Sequence, residues 1–570
     1  MTSPSHLARA VDRIPAVLCG TLVAFLLIQI LTFDYGRDQG IYAVVARSIV
    51  EGGMPYRDAW DFKPPGIFVL YAIARVLFGS NDWGIRVLEC LFLIAMCICI
   101  VRWAKAHFLP KLSGYFAIVL TLLIHAQLDF WHTAQPESFG GALTIFGLCI
   151  APLFPVDGRS ASRPLLRWFV SGVFFGMAGL LKPQLAFGGA LLVQLPCAAR
   201  LLRGLPFLQA FRTPEDGPKE WKALFATGFG TVAPVAACIL WFVAKGALKD
   251  AYEVLFVFTP HYTKLSWIGQ NPLRMGLHGL KDWLTAYSFF VPVGLSLLAI
   301  FGFRLGAKER AAALAILILI GLHLAGVVAQ AKFFSYHYGA TWPLTGLLVG
   351  LGFALLWDQL VKISKWWIIA FVIALPPIAL KRTATPRATP LSFWQRTEFR
   401  TQALLTGSLT PEFRDEFASV DDVNASANRQ IAQFLQEAES SSPNAAAGKP
   451  PRPVYIWGFE PVIYNWANRA SSTRYIYNVP QRAAWLQQTL RDRLMADLAL
   501  NPPEFIVIER HDALPGVTGN NLDSNQARKD FPELRQLIDQ RYKATFTHED
   551  FLVLREVAPS TEAPATPPNP

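Results

Sequence analysis

The chain has 570 residues, of which 53% are hydrophobic and 16% are charged. This composition excludes an ordinary soluble enzyme and predicts a polytopic α-helical membrane protein. The net charge of +11 comes from residues 1–380, which hold 31 basic against 19 acidic residues, whereas residues 381–570 hold 21 against 22. A basic excess confined to the apolar part of a chain indicates membrane topology, so it gives no reason to expect nucleic-acid binding.

Eleven apolar segments approach the length of a membrane-spanning helix. The first follows Arg9 and Arg13, but it is too long for a secretory signal and lacks a small-residue cleavage site, so we expect a retained anchor. Several others are short, which favours tilted or partly inserted helices. The eleven predicted spans are residues 14–33, 84–101, 114–130, 138–154, 168–181, 185–199, 223–243, 285–303, 311–330, 339–357 and 366–380.

The distribution of basic residues sets the expected orientation. The N-terminal segment and every second junction between spans together hold 18 of the 31 basic residues of this half, with seven acidic residues beside them. The positive-inside rule places these junctions in the cytoplasm. The N-terminus is then cytoplasmic, and everything after the eleventh span lies outside.

Residues 34–83 form the first outer loop. Charges are dense between Asp34 and Gly66 and cannot lie in hydrocarbon, so we expect a polar loop at the membrane surface. The apolar segment Ile67–Phe78 has twelve residues, too few to span a bilayer. It predicts a helix lying on the membrane surface.

The composition changes after Leu380, which ends the predicted transmembrane domain, residues 1–380. Residues 381–453 are polar, with a Ser/Pro/Ala/Gly-rich linker at 440–453, and residues 558–570 form a Pro/Ala/Thr-rich tail that we expect to be disordered. Between them, residues 454–557 alternate strand and helix patterns, which predicts a small α/β domain. The predicted strands are Val454–Trp457, Thr473–Tyr477, Phe505–Ile508 and Phe551–Leu554, and the predicted helices of this region are 411–422, 425–440, Ala483–Leu500 and Glu533–Arg541.

Two residues of the first outer loop could carry chemistry. Asp38, in D-Q-G-I-Y, could accept a proton from an attacking hydroxyl. The alternative is a helix cap or an acid paired with Arg37 or Arg47. Lys63 precedes Pro64-Pro65-Gly66, which fix the backbone and start the surface helix. The lysine is then held where a phosphate head group would lie, or it snorkels beside the helix start.

Other outer-face turns repeat this mixture of residues. Together with the first loop they place three lysines, two histidines and two acids on one face beside apolar helices, which suits an anionic head group attached to a lipid tail. There is no Gly-rich phosphate loop typical of a soluble-nucleotide site. The seven cysteines lie in or at the ends of apolar segments and show no disulfide or metal spacing. The outer-face residues are His132, Gln135 and Glu137 in WHTAQPESFGG, Lys182 and Gln184 in LLKPQ, and Lys332, Tyr336 and His337 in AKFFSYHYGATWP.

These motifs carry a family resemblance over roughly residues 17–355. The order D-Q-G-x-Y, G-G-M-P-Y-R-D-x-W-D-x-K-P-P-G, then L-F-G and Arg86 resembles the GT-C superfamily of lipid-linked-sugar glycosyltransferases. More narrowly it is similar to bacterial relatives of protein O-mannosyltransferases, including lipid A aminoarabinose transferases and galacturonosyltransferases of lipopolysaccharide. L-L-K-P-Q, K-F-F-S-Y-H-Y and V-Y-I-W-G are similar to this group too.

The resemblance implies an inverting membrane transferase that uses a polyprenyl-phosphate sugar. Asp38 would be the general base, across the pocket from Lys63, which would bind the donor phosphate. Many relatives have Asp followed by Glu where this chain has Asp38-Gln39, so either Glu137 supplies the second carboxylate or the acceptor differs. The remaining residues that would contact substrate are Tyr42, Arg86, His132, Glu137, Lys182, Gln184, Lys332, Tyr336 and His337.

We therefore expect a multi-pass glycosyltransferase of the bacterial inner membrane. It would move one sugar to a hydroxyl of a glycan, glycolipid or protein at the periplasmic face, with a periplasmic C-terminal domain that shapes access of the acceptor. The alternatives are a lipid-linked-glycan transporter or polymerase, and a scaffold. No cofactor is indicated by the sequence, which leaves dependence on a divalent metal open.

Overall fold

The structure is a computed structural model that describes residues 6–153, 163–195, 220–363, 392–420, 423–440 and 450–557. It divides into two compact units, each made of three stretches of chain. The first unit comprises residues 1–39, 63–249 and 266–421, and the second comprises residues 40–62, 250–265 and 422–570. The predicted division of the chain at residue 380 stays a prediction.

Helices dominate the described chain up to residue 363. Short 3-10 turns follow α8, α14 and α15, and a π-helical turn, Glu253–Phe258, follows α11. The α-helices are α1 (His6–Leu31), α2 (Arg37–Val50), α3 (Gly66–Phe78), α4 (Trp83–His107), α5 (Ser113–Gln127), α6 (Asp129–His132), α7 (Pro136–Ile150), α8 (Pro164–Leu181), α9 (Gly188–Val193), α10 (Glu220–Ala244), α11 (Leu248–Tyr252), α12 (Thr259–Leu265), α13 (Pro272–Thr285), α14 (Phe290–Phe301), α15 (Ala307–Gln330) and α16 (Trp342–Ile363).

The remaining elements are shorter. They comprise the helices α17 (Phe393–Thr406), α18 (Pro411–Ala418), α19 (Ala425–Ser440), α20 (Val462–Trp466), α21 (Val479–Arg482), α22 (Gln487–Leu500), α23 (Pro515–Thr518), α24 (Ser524–Lys529) and α25 (Pro532–Arg541), and the strands β1 (Val454–Trp457), β2 (Phe505–Glu509), β3 (Tyr542–His548) and β4 (Phe551–Glu556).

Apolar helices form most of the first unit. Among the described residues, six helical segments are long and apolar enough to cross a membrane, and five shorter apolar helices accompany them. The predicted spans up to residue 357 each coincide with one of these eleven helices. The eleventh predicted span, 366–380, lies outside the described residues, so the number of spans stays a prediction.

The first outer loop is more ordered than the sequence indicated. The polar stretch predicted as a loop contains the 14-residue helix α2, so that part of the prediction was wrong. Ile41, Val44, Val45 and the residues around them are buried, and this spacing gives α2 an apolar face despite its charged ends. Helix α3 spans Gly66–Phe78, within one residue of the predicted helix, directly after Pro64 and Pro65.

Close contacts between α8 and α10 depend on glycine. A Cβ at Gly172 or Gly176 of α8 would meet the carbonyl oxygen of Thr227 or Thr231 of α10 at well under 3.0 Å. Gly172 and Gly176 stand four residues apart, so they lie on the same face of α8. Small residues at this spacing let two helix backbones approach each other closely.

A four-stranded sheet lies at the centre of the second unit. The strand order is β1-β2-β4-β3, with β1 parallel to β2 and the other pairs antiparallel. All residues of β1 and β2 are buried, although β1 lies at one edge of the sheet, so other parts of the unit cover both strands.

Two sequence predictions in this unit were wrong. Thr473–Tyr477 forms irregular chain instead of a strand, and the carbonyl of Arg474 accepts a hydrogen bond from the Trp60 amide at 2.8 Å. Its apolar residues are buried by packing without joining the sheet. Strand β3 was missed because it is an edge strand with mostly exposed, polar side chains, which weakens the alternation that identifies strands.

The segments 40–62 and 250–265 belong to this second unit. The Tyr477 hydroxyl donates a hydrogen bond to Asp61 at 2.6 Å, and Asp61 is fully buried. Thr259 Oγ1 lies 3.4 Å from the carbonyl of Phe62. The unit is therefore built from parts of the chain that are far apart in sequence.

Candidate active site

An ion pair between Asp38 and Lys63 occupies the centre of the candidate site in the first unit. Lys63 Nζ lies 3.0 Å from Asp38 Oδ1, and the Gln135 amide lies 3.3 Å from Asp38 Oδ2. The side chains of Asp38 and Lys63 are 19% and 13% exposed, so both can be reached. Asp38 stands in the first turn of α2, and Lys63 precedes the two prolines before α3.

The environment of Asp38 determines its ionisation. Burial alone would raise its pKa, but the charge and hydrogen bond of Lys63, followed by Gln135 and the charge of Arg37, hold the pKa below its ordinary value. Arg47 pairs with Glu51 at 2.7 Å instead. The prediction that Asp38 lies across a pocket from Lys63 was wrong, because the two groups are in direct contact.

A second ion pair joins Glu137 and Lys182. Lys182 Nζ lies 2.7 Å from Glu137 Oε1 and 3.1 Å from the amide oxygen of Gln330. The side chain of Glu137 is 3% exposed and that of Lys182 is 11% exposed. Lys182 directly follows α8, and Glu137 lies in the first turn of α7. Gln184, two residues after Lys182, lies half-buried against Gly326.

Aromatic residues line the same region. The rings of His132 and Tyr336 stack with centroids 5.7 Å apart, and Tyr336 packs edge-on against His337 at 4.6 Å. Burial lowers the pKa of His132 to about 4 and that of Lys332 to about 8.

Electrostatic coupling shows that these residues form one cluster. The charges of three lysines act on His337, and the charge of Asp38 acts on both His132 and Glu137. We call this set the lysine–carboxylate cluster. Its charged members are Asp38, Lys63, Glu137, Lys182 and Lys332.

Two predicted binding residues are enclosed in protein. Arg86 is fully buried. Its guanidinium lies 3.1 Å from Glu89 and donates to Thr133 Oγ1 at 2.9 Å and to the carbonyl of Phe130 at 3.0 Å. Such an environment is typical of an arginine that stabilises the fold. Tyr42 is also fully buried and falls in the second unit. Their predicted contacts with substrate stay predictions.

The structure explains why Gln39 stands where a second carboxylate is missing from the motif. Its amide nitrogen donates to the carbonyls of Phe130 at 2.9 Å and Thr133 at 2.7 Å, and its amide oxygen accepts from the Gly36 amide at 3.0 Å. A carboxylate has no hydrogen to donate, so this arrangement requires an amide. Gln39 thereby fixes the turn that carries His132.

Gln135 is the polar residue whose role the sequence did not reveal. The sequence predicts only that Gln135 lies on the outer face, and in the structure its amide contacts the carboxylate of Asp38. Its nearness in sequence to His132 and Glu137 was the available indication. Within the described part of the chain, no group of three or more His, Cys, Asp or Glu side chains could hold a metal ion.

Comparisons with known proteins agree with this fold. The family model for dolichyl-phosphate-mannose-protein mannosyltransferases matches residues 62–204. A crystal structure of ArnT from Cupriavidus metallidurans bound to undecaprenyl phosphate has a TM-score of 0.55 at 14% identity, covering 96% of this chain and 99% of that chain. The apo form of that ArnT gives 0.54 at 13% identity, covering 95% and 97%.

One further solved structure is less similar in fold. The apo oligosaccharyltransferase of Archaeoglobus fulgidus has a TM-score of 0.44 at 12% identity, covering 90% of this chain and 72% of that chain. No curated protein matches the chain in sequence.

The chain therefore has the fold of the membrane-embedded GT-C glycosyltransferases, and the resemblance predicted from its motifs is confirmed. Its apolar helices and this fold make it a multi-pass membrane protein.

Proposed function

We propose that this protein transfers a single sugar from a polyprenyl-phosphate donor to an acceptor hydroxyl, with inversion at the sugar carbon. The observation that carries the proposal is the reachable Asp38–Lys63 ion pair inside the lysine–carboxylate cluster. The undecaprenyl phosphate bound to the ArnT of similar fold supports the donor class. The proposed location is the periplasmic face of a bacterial inner membrane.

The formal charge of the cluster suits this donor. Three lysines against two carboxylates leave one net positive charge. A polyprenyl-phosphate sugar is a phosphodiester with one negative charge, and the departing polyprenyl phosphate gains a second. Lysines already positioned around the phosphate stabilise that charge as it develops.

Exchange of ion-pair partners would prepare Asp38 for catalysis. While Lys63 contacts Asp38, the pKa of the carboxyl is held low, and a weakly basic carboxylate is a poor proton acceptor. A donor phosphate competes for Lys63. Once Lys63 turns to the phosphate, burial is left as the main influence on Asp38 and raises its pKa towards the working range.

The chemical step then follows. The acceptor hydroxyl gives its proton to Asp38 while its oxygen forms a bond to the anomeric carbon of the donor sugar. The bond between that carbon and the phosphate oxygen breaks, and its electron pair leaves with the polyprenyl phosphate. In this scheme Lys63, Lys182 and Lys332 attract the phosphate, and His132, Glu137 and Tyr336 line the sugar pocket.

The test uses the full chain in lipid nanodiscs with undecaprenyl phosphate as the binding probe. We expect Lys63→Ala to weaken binding about tenfold, the effect of about 1.4 kcal/mol from one charge-assisted contact. Lys362→Ala, an exposed lysine at the end of α16, is the matched control and should bind as the natural protein does.

The catalytic arm uses a panel of undecaprenyl-phosphate sugars and an envelope extract as acceptor. Asp38→Asn should keep the binding of undecaprenyl phosphate and reduce sugar transfer at least ~100-fold, because the base is lost. Unchanged binding in Lys63→Ala, or normal transfer by Asp38→Asn, would overturn the proposal.

A further inference from the structure

A cavity of about 300 Å³ lies within the second unit. All of its lining residues come from the stretches 40–62, 250–265 and 422–570. Its volume is in the range of pockets that hold small ligands, and the proposed reaction assigns it no role.

Aromatic side chains form one wall of this cavity. Trp60 packs edge-on against Phe258 with ring centroids 4.8 Å apart and lies 6.3 Å from the ring of Tyr475. Aromatic faces are electron-rich, and the C–H bonds of a sugar ring carry partial positive charge. Such a wall therefore favours a sugar ring lying against it.

Charged side chains held in ion pairs form another part of the lining. Arg493 lies 2.7 Å from Glu253, and Arg474 makes two contacts with Asp497, at 3.0 and 3.1 Å. These ion pairs hold donors and acceptors in fixed directions while largely cancelling each other's charge. Asp250 adds a half-buried carboxylate. A neutral ligand with many hydroxyls fits this lining better than a phosphate or a lipid tail.

The backbone around the cavity is irregular in two places. The π-helical turn Glu253–Phe258 supplies several lining residues, and such turns are rare and frequently mark functional sites. Tyr56, buried in the lining, has a φ of 70°, which is unfavourable for a bulky residue. Strain of this kind is concentrated where a binding surface requires it.

We infer that this cavity binds a sugar ring of the acceptor, so that the acceptor is a glycan or glycolipid rather than a protein hydroxyl. The inference rests on the proposed function, since it names the substrate class of the same reaction. Trp60 of the cavity stands three residues before Lys63 in the chain.

The test measures sugar binding directly. Saturation-transfer NMR on the full chain in nanodiscs, free of sugar-based detergent, would use methyl β-glucoside, methyl α-mannoside and N-acetylglucosamine as probes. Val257→Phe fills the cavity without removing a polar group, and Asp250→Asn removes one charge at nearly constant volume. Leu500→Phe, at a position 88% exposed, is the matched control.

We expect at least one sugar to bind the natural protein and Leu500→Phe equally. The saturation-transfer signal of that sugar should fall at least fivefold in both cavity variants. Binding of undecaprenyl phosphate should be the same in all four proteins. Thermal unfolding at the same temperature as the natural protein would show that the cavity variants fold.

Three results would overturn the inference. They are the absence of sugar binding, sugar binding that survives Val257→Phe, and binding of a Ser/Thr-containing peptide that Val257→Phe abolishes. None of these affects the Lys63→Ala result with undecaprenyl phosphate, so failure of the inference is distinguishable from failure of the proposed function.

Discussion

Lys63 illustrates how much of the candidate site depends on single side chains. A lysine fixed by two prolines was expected to meet a phosphate, and in the structure it contacts Asp38 instead. The two roles are compatible if the phosphate displaces the carboxylate. The ion pair then keeps both groups in place until a donor arrives.

Lys332 gives a pH-dependent prediction. Burial lowers its pKa to about 8, and a lysine loses its charge as the pH rises through its pKa. We therefore expect kcat/KM for the donor to fall above about pH 8. In Lys332→Arg the side chain stays charged, so the fall should move to higher pH.

Lys308→Arg, at an exposed position in the first turn of α15, serves as the control for that profile. Its pH dependence should match that of the natural protein. Identical profiles for the natural protein and Lys332→Arg would remove Lys332 from the proposed phosphate site.

Gln39→Glu tests whether this chain requires an amide where many relatives have an acid. The new carboxylate would face the carbonyls of Phe130 and Thr133, which would lose the hydrogen bonds that the Gln39 amide donates. We expect unfolding to become easier by about 1–3 kcal/mol, seen as a lower Tm in nanodiscs. Gln402→Glu, exposed on α17, should leave Tm unchanged, and equal Tm values for both variants would contradict this account.

The residue types of the candidate site could be predicted from the sequence, but the contacts between these residues could not. Sequence reasoning placed Asp38, Lys63, Glu137 and Lys182 on one face, because charged residues between apolar helices collect at a membrane surface. It could not show which acid pairs with which lysine, or that Arg86 is enclosed, since these facts depend on contacts between residues far apart in sequence.

At the scale of elements, helices were predicted more accurately than strands. Helix α19 has the predicted bounds 425–440, because its apolar residues recur with helical spacing over sixteen residues. The segment 473–477 and strand β3 were misassigned, since burial of short segments is decided by tertiary packing.

The contact between α8 and α10 gives a prediction at this scale. Gly176→Ala would place a methyl group against the carbonyl of Thr231 and the ring of Pro234. We expect the helices to separate slightly and the protein to lose about 1–3 kcal/mol of stability. The measurement is thermal unfolding in nanodiscs.

Gly228→Ala is the matched control, because a Cβ at Gly228 of the same helix pair meets nothing within 4 Å. Alanine is the better helix former by about 1 kcal/mol, so this variant should be as stable as the natural protein or more so. If both variants unfold alike, close packing at Gly176 is not important.

Membrane orientation is a property of the whole molecule, and the positive-inside rule makes it testable. Cysteines introduced at Ser408 and Lys308, both exposed, should behave oppositely towards a membrane-impermeant maleimide. In intact spheroplasts Ser408→Cys should be labelled, and Lys308→Cys only after permeabilisation. The reverse pattern would invert the proposed topology.

The discontinuous second unit has a consequence for biosynthesis. The hydrogen-bond partner of Asp61, Tyr477, is synthesised more than 400 residues after it. The hydrogen bond from the Trp60 amide to the carbonyl of Arg474 has a similar separation in sequence. The stretch 40–62 therefore cannot complete its packing until residue 477 has been synthesised. In a truncated chain that stops after α16, the carboxylate of Asp61 and several aromatic rings would not be buried by the rest of the second unit. We expect quality-control proteases to degrade such a chain.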